Sequence, residues 1–94
     1  MAYEHLFQPI EIGTLTLPNR LVMAPMGSGY ADTQHRVTPR MIAYHVARAR
    51  GGIGLNIVEH SAVHPLGLCA ETMPGLWSDE FIPGLTTLAD AVHK

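Results

Sequence analysis

Glu59 and His60 are the adjacent residues best suited to proton transfer, because histidine titrates near neutral pH and a carboxylate can orient its ring. Neighbouring residues on a strand face opposite sides, so the two side chains are not expected to share a proton. We therefore predict that Glu59 hydrogen-bonds loop backbone, with an acid–base role as the alternative.

His60 and His64 have the i, i+4 spacing that holds a metal ion on a helix, but they fall at a strand end and in a loop. The order Glu59-His60 also fails to match the H-E-x-x-H pattern, so no metal site is predicted. Cys69 is the only cysteine, which excludes a disulfide framework and fits a reducing compartment. No activating residue stands next to Cys69 in the sequence, so we expect it to be incidental rather than a nucleophile.

Two glycine-rich segments are candidates for binding a ligand close to the backbone. Gly51-Gly52-x-Gly54 follows a helix and precedes a strand, which is the reverse of the dinucleotide-binding order, so it is interpreted as a helix stop. Gly27-Ser28-Gly29 does follow a strand, although no phosphate-binding G-x-x-x-x-G-K-[ST] motif is present. Gly27 would let a ligand approach the main chain, and an ordinary turn glycine is the alternative.

The elements that position these residues begin with a β-hairpin at Pro9–Leu17, where apolar and polar residues alternate around Gly13-Thr14. An extended loop is the alternative for this segment. Leu21–Met26 is an apolar run typical of a strand buried on both faces, with Pro25 at its carboxyl end. Gly54–Glu59 predicts a second such strand.

A helix between these two strands is predicted from Thr38-Pro39, a strong N-terminal signal, to Gly51-Gly52. Its apolar stripe is expected at Ile42, Val46 and Ala49, bordered by Met41 and His45. Strand, helix and strand in this order predict a right-handed βαβ unit with parallel strands.

The segment from His60 to Trp77 is a long loop punctuated by glycine and proline, and loops of this length tend to be functional. Ser78-Asp79-Glu80 then starts a second helix, and Trp77 is expected to anchor the loop on it. The helix carries an apolar stripe at Ile82, Leu85, Leu88, Ala89 and Val92.

Two strands and two helices cannot close a parallel sheet, whereas a (β/α)8 barrel needs about 250 residues. The 94 residues therefore resemble the opening of a larger α/β domain. A complete βαβα mini-domain is the alternative. In parallel α/β folds the carboxyl ends of the strands form the functional face, so we expect Pro25-Met26-Gly27 and Glu59-His60 to line one pocket.

The composition limits the class of protein. Hydrophobic residues make up 47% and charged residues 15% of the chain, which excludes disorder, and no apolar run is long enough to span a membrane. The net charge is −2 with six Lys and Arg residues, so no nucleic acid partner is expected. Met1–Gln8 does not have the pattern of a signal or transit peptide, and we expect a cytoplasmic protein.

The sequence also carries an ordered series of motifs that cover nearly the whole chain. They are Leu6-Phe7-x-Pro9, Ile12-Gly13, Leu17-x-Asn19-Arg20-Leu21-Val22-Met23-Ala24-Pro25-Met26, Gly51-Gly52-x-Gly54-Leu55, Ile57-Val58-Glu59, Pro65-x-Gly67, Gly75-x-Trp77-Ser78-Asp79-Glu80 and Asp90-Ala91-Val92-His93. In order and spacing they resemble the opening of the old yellow enzyme family of NAD(P)H:flavin oxidoreductases. The segments Met41–Ala49 and Leu55–Ile57 are particularly similar to the branch that contains 2-enoate, 2,4-dienoyl-CoA and bile-acid reductases.

This resemblance implies that residues 1–94 are the N-terminal part of an FMN-binding (β/α)8 TIM barrel, with a leading β-hairpin and two β–α units. It implies hydride transfer from NAD(P)H through FMN to the β-carbon of an α,β-unsaturated carbonyl compound. A 4Fe-4S cluster and FAD are implied only for a longer reductase. Oligomers are possible for the full-length protein.

By position in the resemblance, Ala24, Pro25, Met26 and Gly27 would abut the flavin ring, and Gly27 replaces a Thr or Cys found in many members. His60 stands beside the flavin, where many members carry Ala or Gly, and Tyr30 lies one place from a substrate-contacting tyrosine of some relatives. The catalytic residues of the family lie beyond Lys94, so the resemblance assigns none to this chain and implies that it is inactive alone.

Two alternatives remain open from the sequence. The chain could be a truncated, non-catalytic remnant that acts only as a structural or binding piece. It could also belong to a different phosphate-binding barrel, such as one like dihydroorotate dehydrogenase, although Trp77-Ser78-Asp79-Glu80 favours the old yellow enzymes.

Overall fold

The computed structural model describes residues 3–94. Met1 and Ala2, which belong to the Met1–Gln8 segment and to the predicted 1–94 domain, lie outside the described residues. Among the described residues, no helix is both long enough and apolar enough to cross a membrane.

The chain opens with the predicted β-hairpin. Strand β1 (Ile10–Ile12) pairs antiparallel with β2 (Leu15–Leu17), and Ile10 lies opposite Leu17. Gly13 has a φ of +58°, which a residue with a side chain rarely adopts, so glycine supplies the turn. This prediction is confirmed.

Strand β3 (Val22–Met23), helix α1 (Pro39–Arg50) and strand β4 (Leu55–Asn56) form the predicted βαβ unit with parallel strands. Val22 pairs with Leu55, and the Ile57 N–H donates to the Met23 carbonyl at 3.1 Å. Both strands are shorter than predicted. In a parallel ladder the next donor on the first strand would be residue 25, and Pro25 has no N–H.

The prediction that β3 is buried on both faces is wrong for this chain. Met23 is buried, but Val22 is 49% exposed, and Leu21 and Ile57 are also exposed. Val22 and Met23 point to opposite faces of the sheet, and within residues 3–94 only the Met23 face is covered.

Helix α1 has the predicted ends. The Thr38 hydroxyl accepts a hydrogen bond from the Met41 N–H, and Gly51 is the C-cap. The predicted stripe was out of phase, because the residues that the helix buries are Met41 and His45, whereas Val46 and its stripe neighbours are only half-buried. His45 is accommodated because Asn56 on β4 hydrogen-bonds its ring.

Helix α2 (Ile82–His93) follows a 3-10 turn at Asp79–Phe81 that is capped by Ser78. Phe81 and Leu88 are buried, but Ile82 and Ala89 of the predicted stripe are exposed. The covered residues Phe81, Leu85, Leu88 and Val92 follow the i, i+4, i+7, i+11 spacing of one helix face, so Phe81 takes the inward position expected for Ile82.

The segment between β4 and α2 contains a 3-10 turn at Pro65–Gly67 and a parallel bridge between Ala62 and Gly75. The Trp77 ring packs edge-on against Phe81, with the ring centroids 4.9 Å apart. This contact confirms that Trp77 anchors the long loop at the start of α2.

Candidate functional site

The carboxyl ends of β3 and β4 converge, as predicted. A Cβ atom built on Gly27 would lie 2.9 Å from Cε1 of His60, so the imidazole ring covers Gly27. Pro25-Met26-Gly27 and Glu59-His60 therefore lie on one rim of the molecule, which we call the strand-end rim.

Glu59 holds this rim together. Its side chain is 4% exposed, and its two oxygens accept hydrogen bonds from the Ser28 N–H at 3.0 Å and the Ser28 hydroxyl at 2.6 Å. Glu59 thus bonds loop backbone, as predicted. It points to Ser28 while His60 lies on Gly27, so the two neighbours do not form an acid–base pair.

The segment from Ala24 to Gly27 lies open at the rim. All four residues are exposed, with Met26 52% exposed. Within residues 3–94, the N–H groups of Met26 and Gly27 donate to no protein acceptor. The rim therefore offers two backbone donors beside the apolar surface of Ala24, Pro25 and Met26.

Tyr30 lies at the edge of this rim and packs on helix α1. Its ring stacks edge-on against Tyr44, with centroids 5.5 Å apart, and the Arg40 guanidinium lies 4.1 Å from the ring centroid. The Tyr30 N–H donates to the Ser28 hydroxyl at 3.2 Å, which ties the residue to the Glu59 network.

Cys69 lies next to a histidine, contrary to the expectation that it has no activating neighbour. Its Sγ is 3.6 Å from Nε2 of His60 and 3.8 Å from Sδ of Met73. The contact arises because the long loop folds back over the rim, which brings together residues nine positions apart. Nothing in the local sequence pattern signals it.

His35 joins the loops that follow the two strands, and sequence reasoning missed it. Its backbone has a φ of +65°, its carbonyl accepts from the Gly75 N–H at 2.9 Å, and its Nδ1 donates to the Met73 carbonyl at 2.8 Å. A positive φ at histidine is uncommon, so no residue type marked this position.

A cavity of about 430 Å³ lies behind the rim, between β4 and the two helices. Its polar lining includes His45 and Glu59, and its apolar lining includes Leu85 and Leu88. His45 Nε2 and Asn56 Oδ1 are buried there without a hydrogen-bond partner among the described residues. Burial lowers the pKa of His45 below 6.5, although its hydrogen bond with Asn56 and the charge of Glu59 oppose that shift.

Comparison with known proteins identifies the family. The NADH:flavin oxidoreductase / NADH oxidase family matches residues 5–94. The NADPH dehydrogenase of Bacillus subtilis is 43% identical over 90 residues, which are 95% of this chain and 27% of that protein. The chain thus spans about a quarter of the length of this curated relative.

Solved structures agree with the sequence comparison. A 2-naphthoyl-CoA reductase complex superposes with a TM-score of 0.94 at 36% identity, over 97% of this chain and 14% of that one. The old yellow enzyme homologue from Zymomonas mobilis superposes with a TM-score of 0.84 at 36% identity, over 94% of this chain and 24% of that one. The hairpin and two β–α units are part of a (β/α)8 barrel of the old yellow enzyme type. The chain belongs to the NADH:flavin oxidoreductase / NADH oxidase family, the family of the old yellow enzymes.

Proposed function

We propose that residues 1–94 are the amino-terminal portion of an FMN-binding barrel domain that takes hydride from NAD(P)H and delivers it to an α,β-unsaturated carbonyl compound. The observation that carries the proposal is the open Ala24–Gly27 segment, whose free N–H groups lie at the carboxyl ends of two parallel barrel strands. In such barrels the functional face is this end. Family membership supports the choice of FMN and NAD(P)H.

The strand-end rim fits the edge of a flavin. FMN supplies the hydride-carrying ring when bound, and its edge presents a carbonyl oxygen and ring nitrogens that accept hydrogen bonds. Met26 and Gly27 offer free donors. Gly27 has no side chain of its own, and the His60 ring lies on the side where a Cβ of Gly27 would stand. Ala24 and Pro25 provide apolar surface. Backbone donors aimed at the ring would favour its electron-rich, reduced form.

We assign His60 to the same cofactor site, since its ring covers Gly27. A polar ring at this position would change the environment of the flavin relative to a small Ala or Gly. Tyr30 is proposed as a substrate contact at the rim, where its ring is held by Arg40 and Tyr44. No residue of this chain is proposed to act as a catalytic acid or base.

The proposal is compatible with an intact protein of either of two lengths. The chain covers 27% of the Bacillus dehydrogenase but 14% of the 2-naphthoyl-CoA reductase chain. A 4Fe-4S cluster and FAD are proposed only for a protein of the longer kind, in the branch of the enoate and dienoyl-CoA reductases. The single cysteine of this chain supports a reducing, cytoplasmic compartment.

The proposal is tested on the intact protein that contains these residues. Flavin released by denaturation is identified by chromatography, and oxidation of NADH and NADPH is followed with a panel of enones and enoyl thioesters. We expect one FMN per chain and turnover that depends on the unsaturated acceptor. A protein without flavin would contradict this and favour a non-catalytic structural piece.

A second measurement uses the 94 residues alone. We propose that they neither retain FMN nor oxidise NADH, because the substrate-positioning loops of a barrel come from all of its strands. Stoichiometric yellow flavin with NADH oxidation in this polypeptide would overturn that part of the proposal.

A further inference from the structure

Cys69 lies between two other metal-ligating side chains at the strand-end rim, the imidazole of His60 and the soft thioether of Met73. Cys69 Sγ lies 3.6 Å from His60 Nε2 and 3.8 Å from Met73 Sδ. We propose that His60, Cys69 and Met73 form a binding site for a soft monovalent cation, Cu(I). We call these three residues the sulfur–imidazole cluster.

The separations match those of ligands that share one metal ion. We take metal–sulfur bonds of about 2.3 Å and a metal–nitrogen bond of about 2.0 Å. Trigonal or tetrahedral coordination then places a sulfur and a nitrogen ligand about 3.5–3.7 Å apart, and two sulfur ligands about 3.8–4.0 Å apart. The S–N distance of 3.6 Å lies within the first range, and the S–S distance of 3.8 Å lies at the lower limit of the second. An ion can therefore enter without a large movement of Cys69 relative to either neighbour.

The donor set selects the kind of ion. Thiolate and thioether sulfur are soft ligands that favour Cu(I), whereas Mg²⁺ and Ca²⁺ require oxygen ligands. In residues 3–94 no group of three or more His, Cys, Asp and Glu side chains could hold a metal ion. The cluster has only two residues of these types, and methionine is its third ligand, which disfavours zinc, an ion bound by Cys, His, Asp and Glu.

The surroundings of the sulfur–imidazole cluster also suit an ion. Within residues 3–94, Cys69 and His60 are exposed, while Met73 is 5% exposed and packed in the interior. Met73 Sδ accepts from the Cys69 N–H at 3.3 Å and from the Cys69 thiol at 3.8 Å, and loss of the thiol proton frees the lone pair that would bind the ion. On binding, the Cys69 thiol loses its proton to solvent, the thiolate forms the metal–sulfur bond, and no electron is transferred.

The test is a competition titration of the intact protein against a chromogenic Cu(I) chelator, under anaerobic conditions with ascorbate as reductant. We expect the protein to withdraw one equivalent of Cu(I). Cys69→Ser and Met73→Leu should each weaken binding at least tenfold. His5→Ala, which removes an exposed histidine in the N-terminal segment away from the cluster, should have no effect.

Met73→Leu is the decisive variant, because Leu conserves the volume of a buried Met but cannot ligate. Unchanged Cu(I) affinity in this variant, or in Cys69→Ser, overturns the proposal. Binding of Zn(II) that is equally tight and independent of Met73 also overturns it. If Met73→Leu fails to fold by circular dichroism, the exposed Cys69→Ser variant decides the matter.

The titration does not depend on bound flavin and is carried out on both the FMN-free and the FMN-containing protein. Loss of the flavin proposal would leave the Cu(I) result standing, and the reverse also holds. The two proposals are thus separable even though they share His60.

Discussion

The Glu59 carboxylate joins the ends of two neighbouring strands by accepting both hydrogen bonds that Ser28 can donate towards it, at 3.0 Å from the N–H and 2.6 Å from the hydroxyl. The ladder between β3 and β4 has already ended at this point, because Pro25 cannot donate. Beyond Pro25, the shape of the strand-end rim therefore depends on this side-chain contact.

Glu59→Gln should destabilise the protein by about 1–3 kcal/mol, because the Ser28 hydroxyl must rotate to accept from the amide NH₂ and so loses the acceptor for its own proton. The free energy of unfolding is measured by urea denaturation of the flavin-free intact protein. Glu71→Gln, at an exposed position of the long loop, is the matched control and should have no effect. Equal stability of the two variants would show that the Ser28 contact does not hold the rim.

Gly54→Ala should destabilise the protein more than Gly27→Ala. A Cβ on Gly54 would lie 2.5 Å from the backbone oxygen of Asn19, which cannot move without the strand, so we expect a loss of about 1–3 kcal/mol.

A Cβ on Gly27 meets only the far end of the exposed His60 side chain, which can rotate away. We expect a loss below about 1 kcal/mol for Gly27→Ala, with weaker retention of FMN. The denaturation midpoints of the two variants test this prediction. Gly67→Ala is the control, because a Cβ at Gly67 would have its nearest neighbour at 4.0 Å. The reverse order of stabilities would contradict the prediction.

The stability of the protein should fall on acidification partly through His45. Burial lowers its folded-state pKa below the ordinary value of 6.5, so the unfolded chain binds the proton more tightly. The contribution of His45 is thus complete above pH 6.5 and is lost as the pH falls from 6.5 towards the folded-state pKa.

His45→Gln should flatten the dependence of the unfolding free energy on pH below pH 6.5. His5→Gln, the same substitution at an exposed histidine, serves as the control. A His45→Gln profile parallel to that of the unmodified protein would show that His45 titrates alike in both states.

Tyr30→Phe should leave the unfolding free energy unchanged within about 0.5 kcal/mol, because Arg40 and Tyr44 contact the ring rather than the hydroxyl. If Tyr30 contacts the substrate through its hydroxyl, KM for the enone rises severalfold. Steady-state kinetics of the intact enzyme measure this, with Tyr44→Phe as control. An unchanged KM would remove Tyr30 from the substrate site.

The elements were predictable where local signals fix them. Thr38-Pro39 and Gly51-Gly52 gave the ends of α1, and Gly13 gave the hairpin turn, because capping and positive φ depend on a few adjacent residues. The buried face of α1 was misjudged because His45 counts as polar in a hydrophobic pattern, yet Asn56 satisfies part of its ring.

The candidate site was predictable in its strand ends and not in its loops. Parallel pairing alone brings Gly27 and His60 together, so that neighbourhood followed from topology. The approach of Cys69 and Met73 to His60 depends on the path of the long loop, which is set by tertiary contacts such as that between His35 and Gly75. The spacing of apolar and polar residues along the chain does not predict such contacts.

Beyond Pro25, the contact between the Glu59 carboxylate and Ser28 takes the place of backbone hydrogen bonds between β3 and β4. This substitution bears on how the family can diversify. A substitution at position 28 or 59 would change the shape of the strand-end rim and the stability of the protein together, because one buried contact serves both. Sequence change at this rim is thus limited by a stability cost that ordinary surface loops do not carry.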